Sequence, residues 1–343
     1  MEFPRLERPI VAAPMAGGPS TPALAAAVCE AGGLGFLAAG YLTPEKLEDD
    51  IRELRRATAR PFGVNLFVPS PSTADPVAVE AYAARLQPEA ERLGVALGDP
   101  HWSDDAWDAK LEVVLDAQPA IVSATFGLPP AAAVERLHAR SIAVWCTVTA
   151  PDEASRAAAA GADALVVQGA EAGGHRGSFV DGSGEAVALL PLLRLVRRVV
   201  DLPLVAAGGI ADGAGVAAVL AAGARAAQIG TGLLLTPEAG TSDVHRRALG
   251  GDAATAVTRA FSGRRARGIV NRFLAEHSGA APAAYPEVHY LTAPLRAQAR
   301  RAGDADAVNL WAGQAYGLAE AAPAAELVVR WSTDALVALG RDA

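Results

Sequence analysis

The chain has 343 residues and a formal net charge of −8; 51% of it is hydrophobic and only 5% aromatic. That acidic balance argues against nucleic acid and anionic membrane as partners, and no apolar run reaches the roughly 18 residues of a membrane span. Cys29 and Cys146 are the only cysteines, too few for a disulfide framework and suited to a reducing, cytoplasmic setting.

Strand and helix signals alternate about every 30 residues. An apolar run at 10–13 is stopped by Pro14, and Ser20 or Thr21 then caps a helix reaching Ala31, with Leu24 and Val28 on one face. A second short run, 35–38, precedes Thr43-Pro44-Glu45, a cap followed by proline at the first helical position, and a charged helix to about 56. The third strand is read at 62–67. A Pro/Ser-rich loop (68–76), a helix from 77 to about 93, an irregular stretch (94–107) and a helix to 118 follow it. Strand four is 120–124 with its helix at 129–140; strand five is 142–148, with an alanine-rich helix from Pro151 to 160. Strand six is 164–168, and its glycine-rich loop runs from 169 to about 184. A helix at 189–200 leads to strand seven, 204–207, and a helix at 212–223 leads to strand eight, 227–229.

Eight such units, with short apolar strands lacking polar alternation, predict a (β/α)8 TIM barrel over residues 1–235. An open doubly wound sheet is the competing architecture, disfavoured by the count of eight and by paired glycine loops. The rhythm breaks from Pro237 onward. Residues 262–268 read as a basic, glycine-bounded turn, and helical stretches follow at 294–302, 312–321 and 324–339. Residues 236–343 are therefore expected to be a mainly helical addition covering the barrel mouth. Composition sets no oligomeric state.

Chemistry is concentrated at the strand ends. Strands seven and eight stop in Gly208-Gly209 and in Gln228-Ile229-Gly230-Thr231, and loops after these two strands commonly form a phosphate site in such barrels. Bare amides and close backbone approach there point to a phosphate-bearing cofactor or substrate. No GxGxxG fingerprint follows the first strand, which speaks against a Rossmann-type site. His175, flanked by glycines in the loop after strand six, is placed to take a proton near neutral pH. Glu171 reads better as a helix cap or salt-bridge partner than as its orienting group. Pro14 and Met15 offer an apolar platform, and Asn65 is a polar side chain inside an apolar strand that needs a partner. Arg264, Arg265 and Arg267 read as surface salt-bridge formers. No HExxH, clustered Cys/His or paired carboxylate motif occurs, so no metal is expected.

Taken together, the segments 13–18, 62–67, 168–177, 206–210, 228–231, 261–273 and 311–314 resemble the nitronate monooxygenases, once called 2-nitropropane dioxygenases, and look like their class I bacterial branch. The resemblance implies an FMN-dependent oxidation of alkyl nitronates by O2 to a carbonyl compound and nitrite. The substrate would be of the propionate 3-nitronate type and the role detoxification. It implies that Asn65, Gln168, Gly173 and Gly209, with Gln228, Ile229, Gly230 and Thr231, hold FMN, and that Met15 lies against the flavin. His175 would be the catalytic residue, a base for neutral nitroalkanes and an anchor for the anionic nitronate. Ala124 and Thr125 are smaller than the bulky or basic neighbours expected in strand four. An FMN-dependent NAD(P)H enoyl-acyl-carrier-protein reductase shares the Glu-Ala-Gly-Gly-His and Ala-Gly-Gly-Ile elements. An NADH:quinone reductase is a related reading, and a barrel that binds FMN as a sensor without turnover is a non-enzymatic one.

Overall fold

In the computed structural model, residues 1–182 and 186–340 are described; the expected end of the sixth-strand loop at Gly184 lies outside them. The short apolar runs become strands covered on both faces, as their lack of polar alternation requires. These are β1 (Ile10–Ala12), β2 (Phe36–Ala38), β3 (Gly63–Phe67), β4 (Ile121–Thr125), β5 (Ala143–Val148), β6 (Ala164–Gln168), a two-residue β7 (Gly174–His175), β8 (Leu204–Ala207) and β9 (Ala226–Ile229). All except β7 form one parallel sheet in the order β1-β9-β8-β6-β5-β4-β3-β2. A parallel bridge between Val11 and Leu34, with Ala12 N–H donating to the Leu34 carbonyl at 2.9 Å, closes that sheet into the expected barrel.

Helices α1 (Pro22–Glu30), α2 (Pro44–Ala57), α3 (Pro76–Leu93), α4 (Trp107–Ala117), α5 (Ala131–Ala139), α6 (Pro151–Ala159), α7 (Leu189–Arg197) and α8 (Gly213–Ala221) alternate with the strands. The Thr21 hydroxyl accepts from Leu24 N–H at 3.0 Å and the Thr43 hydroxyl from Lys46 N–H at 3.2 Å, each just before a helix-opening proline. Such caps contribute about 1 kcal/mol each. Trp145 and Phe36 fill the barrel interior, and Phe3 from the N-terminal segment stacks on Trp145 at 5.3 Å. That end is plugged, so the open end is the one at the C-terminal tips of the strands.

The rest of the chain adds α9 (Asp243–Leu249), β10 (Thr255–Thr258), β11 (Ala266–Ile269), α10 (Arg272–His277), α11 (Glu287–Ala302) and α12 (Ala324–Ala338). A second apolar cluster joins α3 to α10 and α11 through Tyr82, Leu86, Phe261, Phe273, Leu291 and Leu295. Here the structure differs from the sequence reading in three places. The basic segment is not only a turn: its second half is β11, antiparallel to β10 on one side and to β7 on the other. Helix α11 starts seven residues before Pro294 and runs through it, whereas 312–321 holds only a 3₁₀ turn at Tyr316–Leu318. Helix α12 lies against α8 and α1 on the flank of the barrel and not over its mouth.

Candidate active site

A cavity of about 480 Å³ opens at the C-terminal ends of the barrel strands, within the range of small-molecule sites. Met15, Asn65, Gln168, Gly173, His175, Gly208, Gly209, Gln228, Gly230 and Thr231 all line it. Ile229 does not. Its side chain is 1% exposed in the layer between strands and helices, so only its backbone belongs to this end of the barrel.

The glycine turns have the geometry that a close ligand needs. Gly208 and Gly209 have φ of +105° and +71°, a region that side-chain-bearing residues rarely adopt. A Cβ on Gly230 would stand 3.3 Å from Ala13 Cβ and 3.5 Å from Met15 Sδ. Among the described residues, none of the amides of Gly208, Gly209 and Gly230 donates to a protein acceptor. Gly173 is required for a different reason: a Cβ there would meet Gly313 N at 2.4 Å, so it lets the 311–315 segment close down on the sixth-strand loop. Gly313 N–H in turn donates to the Thr231 hydroxyl at 3.0 Å.

Asn65 finds its partners inside the barrel. Its amide nitrogen lies 2.9 Å from Ser123 Oγ, 3.0 Å from Thr125 Oγ1 and 3.1 Å from the Ser123 carbonyl, which leaves Oδ1 as the acceptor for the cavity. The small Thr125 is thus part of the clamp on Asn65. The Gln168 carboxamide is committed to the histidine loop, donating to the His175 carbonyl at 3.1 Å and accepting from Gly177 N–H at 2.8 Å. Glu171 accepts from Leu189 N–H with both oxygens at 3.0 Å, at the start of α7, and so acts as a helix cap.

His175 is held from two sides. Strand β7 pairs it with Ala266 of β11, and its Nε2 lies 2.8 Å from Ser262 Oγ. The Ser262 hydroxyl has one proton, and the Arg264 carbonyl lies 3.2 Å away to receive it. Assigned from this network, His175 Nε2–H donates to Ser262 and Nδ1 keeps the lone pair. Phe126, Tyr285 and Trp311 surround the imidazole at centroid distances of 5.9, 5.6 and 5.7 Å. Burial, then the Arg264 and Arg296 guanidinium groups, push His175 down to about 3, so it is neutral at physiological pH. Phe126, at φ +78°, is one of two strained residues in this wall; Tyr41, at +67°, is the other.

The arginine segment departs from the surface reading. Arg264 is 5% exposed, donates to the Arg176 and Ser178 carbonyls, and lies 4.1 Å over the Phe126 ring. Arg267 donates twice to the Ala170 carbonyl, at 3.1 and 3.0 Å, and among the described residues Arg265 is the one of the three that pairs with an acid, Asp181 at 3.5 Å. Ser262, Tyr41, Tyr285, His289 and Arg296 also reach this centre, and reading the sequence for strand ends missed them. For Tyr285, His289 and Arg296 the only sequence signal is the polar, aromatic character of 285–296 around Pro286 and Pro294; Tyr41 and Ser262 carry none.

Comparison with known proteins gives the family of the chain. The nitronate monooxygenase family matches residues 5–334. A nitronate monooxygenase from Paraburkholderia phytofirmans is 43% identical over 335 residues, covering 95% of this chain and 91% of its own. The structure of a nitroalkane oxidase from Streptomyces ansochromogenes superposes with a TM-score of 0.95 at 52% identity, over 98% of this chain and 97% of that one. FabK from Thermotoga maritima is more distant, at 29% identity and a TM-score of 0.73 over 98% and 94% of the two chains. With the family match spanning nearly the whole chain and these relatives at 43% and 52% identity, the chain belongs to the nitronate monooxygenase family of oxidoreductases.

Proposed function

We propose that this protein oxidises alkyl nitronates of the propionate 3-nitronate type with O2, giving a carbonyl compound and nitrite, and that it does so with FMN. The observation that carries the reading is a neutral, aromatic-walled imidazole in the same cavity as three glycine amides without protein acceptors. Those amides fit a phosphate, with Thr231 beside them; the Asn65 carbonyl oxygen fits an N–H at a ring edge; Met15 offers a flat apolar contact. Gly173, Gln168 and Ile229 serve that group indirectly in this reading, the first two by seating the histidine loop and the third through its backbone. When bound, FMN accepts electrons from the nitronate and passes them to oxygen.

The rest of the work falls to the chain. For a neutral nitroalkane, His175 takes the proton from the carbon beside the nitro group through its unprotonated nitrogen, leaving a nitronate and an imidazolium. Ser262 keeps the ring in the reactive tautomer. For a substrate that arrives as the nitronate, the base is not needed, and His175, whose one N–H is held by Ser262, stays neutral beside it. The aromatic wall and the 311–315 segment exclude water from the reacting carbon. The expected role is removal of toxic nitro compounds in the cytoplasm, where two buried, unpaired thiols persist. Among the described residues no helix is long and apolar enough to cross a membrane.

The test is direct. Purified protein should be yellow, release FMN on denaturation, and consume oxygen with propionate 3-nitronate in the absence of NADH. Rapid NADH oxidation with crotonyl or quinone acceptors, and none with nitronates, overturns the reading in favour of a reductase.

A further inference from the structure

Among the described residues, the cavity contains positive charge that no acid pairs with. Arg296, on α11, is 8% exposed and lines the cavity. Its Nε donates to the Thr292 hydroxyl at 3.0 Å, and its Nη2 donates to the His289 carbonyl at 2.7 Å and to His289 Nδ1 at 3.3 Å. Among the described residues it has no carboxylate partner, and its Nη1 makes no hydrogen bond. Burial pushes it down to about 10, so the guanidinium stays charged at neutral pH. A cation this deep is costly unless something of opposite charge meets it. Arg264, the other buried arginine here, is already engaged by two carbonyls and a ring face.

His289 is the second half of the feature. Its Nδ1 accepts from Arg296, so the ring proton resides on Nε2, and burial beside Arg296 keeps the imidazole neutral. Tyr41 lies face to face with this ring at 4.0 Å and 4°, and the Tyr41 hydroxyl is anchored 3.0 Å from that of Tyr285. The ring is therefore fixed in the cavity wall with an N–H donor whose identity Arg296 dictates.

We propose that Arg296 and His289 form the oxyanion pair of the site, with Nη1 of Arg296 and Nε2–H of His289 holding the oxygens of the nitro or nitronate group while His175 serves the carbon. This rests on the nitronate reading, and it reassigns the electrostatic anchoring of the anion from His175 to Arg296. Preference for the charged substrate over its neutral acid then depends on this pair.

The experiment compares ethyl nitronate with nitroethane in the flavin-loaded protein, alongside calorimetric titration with nitrate, a planar oxyanion that cannot react. His289→Phe keeps the ring on Tyr41 and removes the donor. Arg296→Met removes the charge, and Arg296→Lys restores it without the fork. The ratio of kcat/KM for ethyl nitronate over nitroethane should fall about tenfold in His289→Phe and further in Arg296→Met, with partial recovery in Arg296→Lys. Nitrate affinity should weaken in the same order. Equal losses for both substrates in His289→Phe and Arg296→Lys, with nitrate binding unchanged, overturn the proposal and leave the pair a structural role. A wild-type protein that binds nitrate through these residues but oxidises no nitronate upholds the pair and sinks the nitronate reading.

Discussion

The Ser262–His175 contact is where a single atom decides chemistry. Replacing Ser262 with Ala removes the acceptor that fixes the imidazole proton on Nε2, while the β7–β11 pairing keeps the ring in place. Nitroethane turnover should fall about tenfold with little change in unfolding midpoint, since proton transfer depends on the tautomer presented. His175→Asn should lose nitroethane activity by about 10²–10⁴-fold, the usual contribution of a positioned base, and lose nitronate activity far less. Equal losses on the two substrates would remove His175 from the proton step. His175 was legible in the chain because it follows a barrel strand among glycines. Ser262, 87 positions away, was not: a serine in a basic turn carries no mark of the imidazole it will meet.

At the scale of elements, the turn that carries Ser262 is set by Gly263. Its φ is +80°, and a Cβ there would stand 2.0 Å from the Ala284 carbonyl oxygen. Gly263→Ala therefore meets both backbone strain and a clash with main chain that has no rotamer to yield. A loss of about 2–4 kcal/mol is expected, read as a lower urea midpoint, together with a drop in nitroethane turnover as Ser262 is displaced from His175. A variant with wild-type midpoint and activity would show that the turn relaxes at no cost. The helix starts at Thr21 and Thr43 were readable because cap and proline are local signals. Strand β11, Ala-Arg-Gly-Ile, was not, since its partners β7 and β10 supply the pairing and its own residues have weak strand preference. Pro294 misled for a similar reason. Proline normally marks a first turn, but here packing of α11 against α3 carries the helix through it.

For the whole molecule, the buried histidines set the response to acid. His175, His245 and His289 are pushed down to about 3, 4 and 2, in each case first by burial. Their folded values lie below the unfolded one near 6.5, so below that pH the unfolded chain binds protons that the folded one refuses. The stability they confer is complete above pH 6.5 and is lost as pH falls towards 4. Three such groups give a slope on the order of 4 kcal/mol per pH unit in that window. Glu89, held near 2 by Arg272 and Arg92, adds a second loss only below about 4.5. Urea midpoints measured from pH 8 to 4 should be level above 7 and drop steeply below 6; a flat profile across 6.5–4.5 would contradict this account.

The chain by itself determined the barrel, because hydrophobic periodicity, caps and strand-ending glycines are written within a few residues of each other. It likewise placed the glycine turns and His175 at one mouth, since every strand of a parallel barrel delivers its C-terminal end to the same side. Only tertiary structure decided what surrounds that histidine. Ser262, Trp311, Tyr285 and the Arg296–His289 pair arrive from segments far along the chain, and what makes them functional is a burial and a mutual geometry that no local pattern encodes.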